Sequence, residues 1–311
     1  FVILIGYTGV FGEMALGRAN KSGPIGSFAK AMKFRGKNEK IGNILGYIPT
    51  ISSLLLAIGY TVVVSWILKY AVGAFTGATL SPTSLDEFGA SFGGMASSFG
   101  NSLWVILAIL LCFFIMNAGV SRGIEKVNKI MMPLFFLLFI GLAIYIASLP
   151  GSREGYKYIF SFDPKGLVDP KVWIYALGQA FFSLSLGGSG TVIYGSYLRE
   201  DEDILSNARI VSLFDTLAAL LAAFVIIPAI ATTGSQLSEG GPGLMFIHLP
   251  NLFKHMPGGG IVTIVFFMAV AFAAITSIVN LYETSIAALQ DEFEFSRSKA
   301  TVTIGILGLL A

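Results

Sequence analysis

The stretch FFSLSLGGSGTVIYGSY, residues 181–197, has flanks apolar enough to cross a membrane, yet its centre is Gly187-Gly188-Ser189-Gly190. In a lipid core an unpaired backbone polar group is costly, so a spanning segment can come apart only where it lines a polar cavity. There the gain is specific: half-helix ends offer free N–H groups to an anion and free carbonyls to a cation. The competing use of these glycines is a small-residue packing face. Such a face needs small residues four apart on one stripe, whereas these are contiguous and run round the helix. The spacing predicts a discontinuous helix over 171–198.

The rest of the chain agrees with a membrane setting. Of 311 residues, 55% are hydrophobic and 12% charged, about half the ~25% charged residues of soluble domains. Runs at 47–74, 102–118, 130–149, 209–233 and 260–289 approach or exceed the ~20 residues that span a hydrocarbon core. With 171–198 interrupted and 1–17 and 301–311 as partial spans, the reading is an all-α polytopic bundle. It has six whole and two partial spans in a single transmembrane domain over 1–311. The connection 234–260 alternates Gly/Pro turns with an apolar stretch and predicts a short helical hairpin.

Charge orients the bundle. The loops 18–42, 119–129, 199–209 and 290–300 hold 14 Lys and Arg, the others 5, and Lys69 lies inside a span. The positive-inside rule places the first set in the cytoplasm. Cys112 is the single cysteine, which excludes an intramolecular disulfide and a cysteine metal cluster; it reads as a small apolar filler.

Ionisable residues within spans mark ion paths by default. Asp215, in SLFDTLAALLAAF, sits one or two turns into its span; the alternative is a salt bridge to Arg209. Glu13 reads as structural, near the cytoplasmic mouth, and for Glu283 both roles stay open. Ser183 and Ser185 precede the break, and Thr276 and Ser277 stand side by side in AFAAITSIV. Hydroxyl and carbonyl oxygens suit Na⁺, and the lack of clustered carboxylates argues against Ca²⁺. Hydroxyls in helices also bond back to their own backbone. His248 and His255 lack a third ligand, no Walker-type lysine follows GGSG, and no Ser–His–Asp group can be drawn, so no enzymatic activity is expected.

Taken in order, GEMALGR (12–18), GVSRGIEKVNKIMMP (119–133), DPKVWIYALGQAFFSLSLG (169–187), GPGLMFIHLP (241–250) and AFAAITSIVNLYETSIAALQDEFEFSR (271–297) resemble the bacterial branch of the neurotransmitter:sodium symporter family. The resemblance implies a leucine-transporter-like fold of two inverted five-helix repeats, with the chain running from the family's second helix into its ninth. It implies sodium-coupled uptake of an amino acid by alternating access, in the plasma membrane of a bacterium or archaeon. The expected partners are the amino acid and the lipid bilayer, with no nucleic acid, and the expected cofactors are two Na⁺.

The resemblance also assigns residues. Ser183 and Asp215 would serve one sodium site, and the Ala273 carbonyl with Thr276 and Ser277 the other. Tyr60 would hold the substrate carboxylate and carbonyls around Phe182–Ser185 its ammonium, with Leu56, Phe182, Ser185, Gly188, Ser277 and Leu281 around the substrate. Asp291 would serve the cytoplasmic gate. Gln179 and Ser183 match the chloride-site region of animal members, where Asp215 replaces an Asn; a permanent carboxylate there implies no need for chloride. The family's Gly-x-Gly, with x often bulky, becomes Gly187-Gly188-Ser189. That enlarges the pocket or shifts its register, and points to a bulky apolar or aromatic substrate. A proton-coupled amino-acid permease of the same fold, and a non-transporting channel or structural subunit, remain as alternatives.

Overall fold

The computed structural model describes residues 1–232 and 241–310, and among these every regular element is helical. A π-helical turn, Val2–Gly6, leads into α1 (Tyr7–Asn20). Next come α2 (Pro24–Phe34), α3 (Glu39–Thr76), the short α4 (Leu85–Ala96) and α5 (Ser102–Asn117). A second π-helical turn opens α6 (Glu125–Ala147), which is followed by α7 (Ser152–Ile159), α8 (Pro170–Ser183) and α9 (Gly190–Tyr197). The chain closes with α10 (Ile204–Ala231), α11 (Leu249–His255), α12 (Gly259–Phe293) and α13 (Arg297–Leu310).

The helix starts are written in the sequence. Asn38 Oδ1 accepts from Lys40 N at 3.0 Å, Asp169 Oδ1 from Lys171 N at 2.9 Å, and Asp203 Oδ1 from Leu205 N at 2.9 Å. Each satisfies a donor that the first helical turn leaves open. Pro24 and Pro170 open α2 and α8, where a missing N–H costs nothing. Val2–Asn20, α3, Arg122–Ala147, α10 and α12 are long and apolar enough to cross a membrane. α5 is a shorter apolar helix, and α8 with α9 makes the interrupted span. At 38 residues, α3 is about 57 Å long by its rise per residue, well beyond a hydrocarbon core.

Only part of the expected hairpin over 234–260 falls on described residues. Within the described residues a single helical run extends from Leu244 to His255, and Gly258, at φ 63°, turns the chain into α12. Phe246, Leu249, Leu252 and Phe253 are all buried. Their helical spacing puts them on one face, which favours one continuous helix over a fold-back. Residues 233–240 lie outside the described residues.

α12 is the central post. It packs along α3 and α6 and also touches α5, α9 and α13. Phe266, Phe267, Ile278, Tyr282 and Ile286 are wholly enclosed. The Tyr282 and Thr61 hydroxyls share a hydrogen bond of 2.8 Å, and Ser53 donates to the Leu281 carbonyl at 3.1 Å. A second, smaller core joins Val10 and Met14 of α1 to Ile204 and Ala208 of α10, and includes Leu184 and Leu186. Those two leucines belong to the segment between α8 and α9, so the interruption is anchored by its own apolar side chains.

Candidate functional site

Between Ser183 and Gly190 the helix does come apart. Ser185, Gly187 and Ser189 take φ of 56°, 76° and 58°, so every second residue is left-handed. For the two serines that conformation costs about 1–2 kcal/mol each, and strain of this kind clusters at ligand sites and switches. Leu184 and Leu186, on either side of Ser185, belong to the small core.

An acid holds the gap. Glu13 of α1 accepts from the Gly187 N–H at 2.8 Å through one carboxylate oxygen and from the Thr191 hydroxyl through the other. A carboxylate at the start of α9 also opposes the positive end of its dipole. Glu13 is therefore a member of the break and not a residue of the cytoplasmic mouth. The reason is close backbone packing. A Cβ at Gly17 would run into the Val192 carbonyl, and one at Gly195 into the Met14 carbonyl. With α1 and α9 in such contact, a carboxylate one turn before Gly17 comes level with residues 187–191.

On the α8 side, the Ser183 hydroxyl donates to the Asp215 carboxylate. Asp215 stands 11 residues into α10, about three turns, because the helix begins five residues ahead of the apolar run. The alternative bridge to Arg209 is not formed, because Arg209 donates to the Tyr7 hydroxyl at 3.3 Å.

On α12, the Thr276 and Ser277 hydroxyls both donate to the Ala273 carbonyl, each at 2.9 Å. The three oxygens assigned to one sodium site thus lie together, engaged in the back-bonding that helix hydroxyls commonly make. The Tyr60 hydroxyl interacts with Ser277, so the group assigned to the substrate carboxylate adjoins the group assigned to sodium. Leu281 is half-buried one turn on; Leu56 and Phe182 are exposed. A Cβ at Gly188 would meet only the Ser185 carbonyl, at 3.9 Å, which leaves room for a ligand or a larger side chain.

Asn280 ties these groups together, and sequence reasoning passed over it. Its Nδ2 donates to the Ser185 hydroxyl at 3.4 Å. Its amide also lies against Gly190, where an added Cβ would stand 2.9 Å from Oδ1. The Oδ1 atom is buried without a partner. One side chain of α12 therefore touches both lips of the break, one turn from Ser277. The legible signal was a lone amide in an otherwise apolar helical stretch.

Two assigned residues stand apart. Gln179 is exposed on α8. Asp291 lies 14 residues beyond Ser277, about 21 Å along α12. There it accepts from the Gly23 N–H at 2.6 Å and the Ser22 hydroxyl at 3.1 Å, ahead of α2. Between these levels Glu283, fully buried, meets Arg297 in a fork with both oxygens at 2.6 Å, and Tyr197 donates to it at 2.6 Å. Arg297 also donates to the Met116 carbonyl at 3.0 Å. Glu283 is thus a structural ion pair linking α12, α13 and the end of α9.

A family model described as Sodium:neurotransmitter symporter family matches residues 91–311. The chain belongs to that family. The sodium-dependent transporter YhdH of Bacillus subtilis is 35% identical over 308 residues, covering 99% of this chain and 66% of its own length. A sodium-dependent transporter of Haemophilus influenzae is 32% identical, with 97% and 66% covered. This family member therefore spans about two thirds of the lengths of those relatives. The crystal structure of MhsT in complex with L-phenylalanine superposes with a TM-score of 0.87 at 36% identity, over 100% of this chain and 69% of that one. The leucine-transporter-like fold and the integral membrane setting follow.

Proposed function

We propose that the chain forms most of a sodium-coupled symporter that takes up a bulky apolar or aromatic amino acid by alternating access. The observation that carries this reading is the break itself. It is held open by Glu13, flanked by the Ser183–Asp215 pair, and joined through Asn280 to the turn of α12 that bears Thr276 and Ser277. MhsT, bound to L-phenylalanine, supports an aromatic substrate, as does the open space at Gly188. The proposal includes two Na⁺, no chloride requirement, and a plasma membrane of a bacterium or archaeon. The loops 18–42, 119–129, 199–209 and 290–300 face the cytoplasm. The deciding measurement is thermal stabilisation of the full-length protein by individual amino acids with and without Na⁺. Stabilisation by phenylalanine only when Na⁺ is present supports it; stabilisation indifferent to Na⁺ but dependent on pH would return the proton-coupled reading.

Two substitutions test its parts. Replacing Thr276 and Ser277 with Val and Ala removes two oxygens from the Ala273 group. Each such interaction is worth about 1 kcal/mol, so the sodium concentration for half-maximal uptake should rise about tenfold or more. An unchanged sodium requirement would remove the pair from the sodium site. Gly188→Phe should fill the space beside Ser185. Since one or a few methylenes in such a pocket change affinity by about tenfold or more, phenylalanine uptake should weaken by at least that much while alanine uptake is nearly spared. Equal loss for both substrates would mean that Gly188 serves the backbone and not the pocket.

A further inference from the structure

The largest excess of positive charge along the chain lies outside the site. Between positions 30 and 40 stand five cations, Lys30, Lys33, Arg35, Lys37 and Lys40, against one acid, Glu39. Lys30 is tied to the Asn20 carbonyl at 2.7 Å. Lys33 reaches Glu39 at 3.4 Å with 71% of its side chain still exposed, a kind of pair that neutralises little. In the other cationic connections acids answer part of the charge: Lys129 pairs with Glu125 at 2.6 Å, Arg199 with Asp201, and Arg297 with Glu283. The elbow between α2 and α3 keeps an excess of four positive charges, against two at 119–129 and none at 199–209 or 290–300.

Two further features make it more than a solvated loop. Phe34, in the middle of the cations, is 94% exposed. The platform that carries it is also rigid. α2 buries Pro24, Ile25, Ser27 and Ala29, and Gly42 and Gly46 of α3 let the two backbones touch, since a Cβ at Gly42 would lie 2.6 Å from Ala29 Cα. After Phe34 the turn is closed by Gly36 N to Lys33 O and Lys37 N to Met32 O, both 2.9 Å. An aromatic ring and four cations thus stand on a rigid backbone around the start of α3, a helix long and apolar enough to cross a membrane.

We infer that this elbow binds an anionic phospholipid. Phe34 enters the interfacial layer, and Lys33, Arg35, Lys37 and Lys40 surround the phosphate headgroup. Clusters of four or more cations beside a spanning helix attract acidic lipid surfaces in this way, and an exposed aromatic ring favours the same depth. The orientation proposed above decides only which leaflet supplies the lipid.

The test uses the purified protein in neutral detergent micelles doped with dioleoylphosphatidylglycerol or dioleoylphosphatidylcholine, and reads the thermal unfolding midpoint against lipid fraction. Phosphatidylglycerol should raise the midpoint and phosphatidylcholine should not. In the variant Lys33→Gln/Arg35→Gln/Lys37→Gln/Lys40→Gln the half-saturating fraction should rise about tenfold or more. In Arg122→Gln/Lys126→Gln/Lys129→Gln it should change by less than about twofold, because that cluster has half the excess charge and no aromatic residue beside it. Phe34→Ser keeps every charge and should still weaken the response several-fold. Equal shifts in the two charge variants would reduce the effect to bulk charge and overturn the site. So would a response reproduced by inorganic phosphate or by phosphatidylcholine.

Discussion

Arg297→Met is expected to cost about 3–5 kcal/mol of stability, because removing one partner of a buried ion pair strands the other. Glu283 has no exposed surface, and Arg297 keeps only 19% of its side chain exposed. With the guanidinium gone, the carboxylate would retain a single donor, Tyr197. Replacing both charges at once, as Glu283→Gln/Arg297→Met, should cost clearly less than the single substitution, since no uncompensated charge then stays inside. Unfolding titrations with a denaturing detergent on the wild type, both single variants and the double variant give the coupling directly. A double variant as damaged as the sum of the singles would show that the two residues act independently and that the fork carries no net interaction.

The second large effect is on ion coupling. Two Na⁺ and a net-neutral zwitterion would leave two positive charges unbalanced near mid-membrane. With an effective dielectric of about 20 and a separation of about 5 Å, one carboxylate contributes roughly 3 kcal/mol. That corresponds to about a hundredfold in apparent sodium affinity. Asp215, already bonded to Ser183, is placed to supply the charge. In the full-length protein, Asp215→Asn should weaken the sodium response by tens-fold or more and make uptake respond to chloride, while the wild type ignores chloride. Wild-type uptake that requires chloride, or an Asn variant with unaltered sodium dependence, would remove Asp215 from this role.

What could be read from the sequence was whatever depends on periodicity and on residues that act alone. The long apolar runs gave the spans, and the contiguous glycines gave the break. Asp203, Asp169 and Asn38 announce helix starts because a cap needs only its own next residues. Thr276, Ser277 and Ala273 are neighbours on one helix, so their grouping follows from helical geometry. Glu13, Asn280 and the Glu283–Arg297 fork were harder, since each acquires its meaning from a partner far along the chain. Glu13 accepts from the backbone of Gly187, 174 residues away. Nothing local distinguishes it from an acid at a membrane surface until Gly17 and Gly195 bring α1 and α9 together. The run 244–255 is hard to read for a different reason. Gly and Pro signal turns, yet the helical run from Leu244 to His255 passes through Pro250, with a π-helical turn just before it.

The contact between α1 and α9 has a mechanical consequence. Val192 O and Met14 O occupy the space that side chains at Gly17 and Gly195 would need, so no cushion of rotamers separates the two main chains. Lys21, at the end of α1, also grips the Leu198 carbonyl at 2.6 Å. A hinge at residues 184–189 thus has unequal arms. α9 is welded to a neighbour almost twice its length, whereas α8 makes few contacts among the described residues. Torque at the break would swing α9 and α1 as one paddle, and the stroke would be set by the stiffness of that weld as well as by the looseness of the glycines.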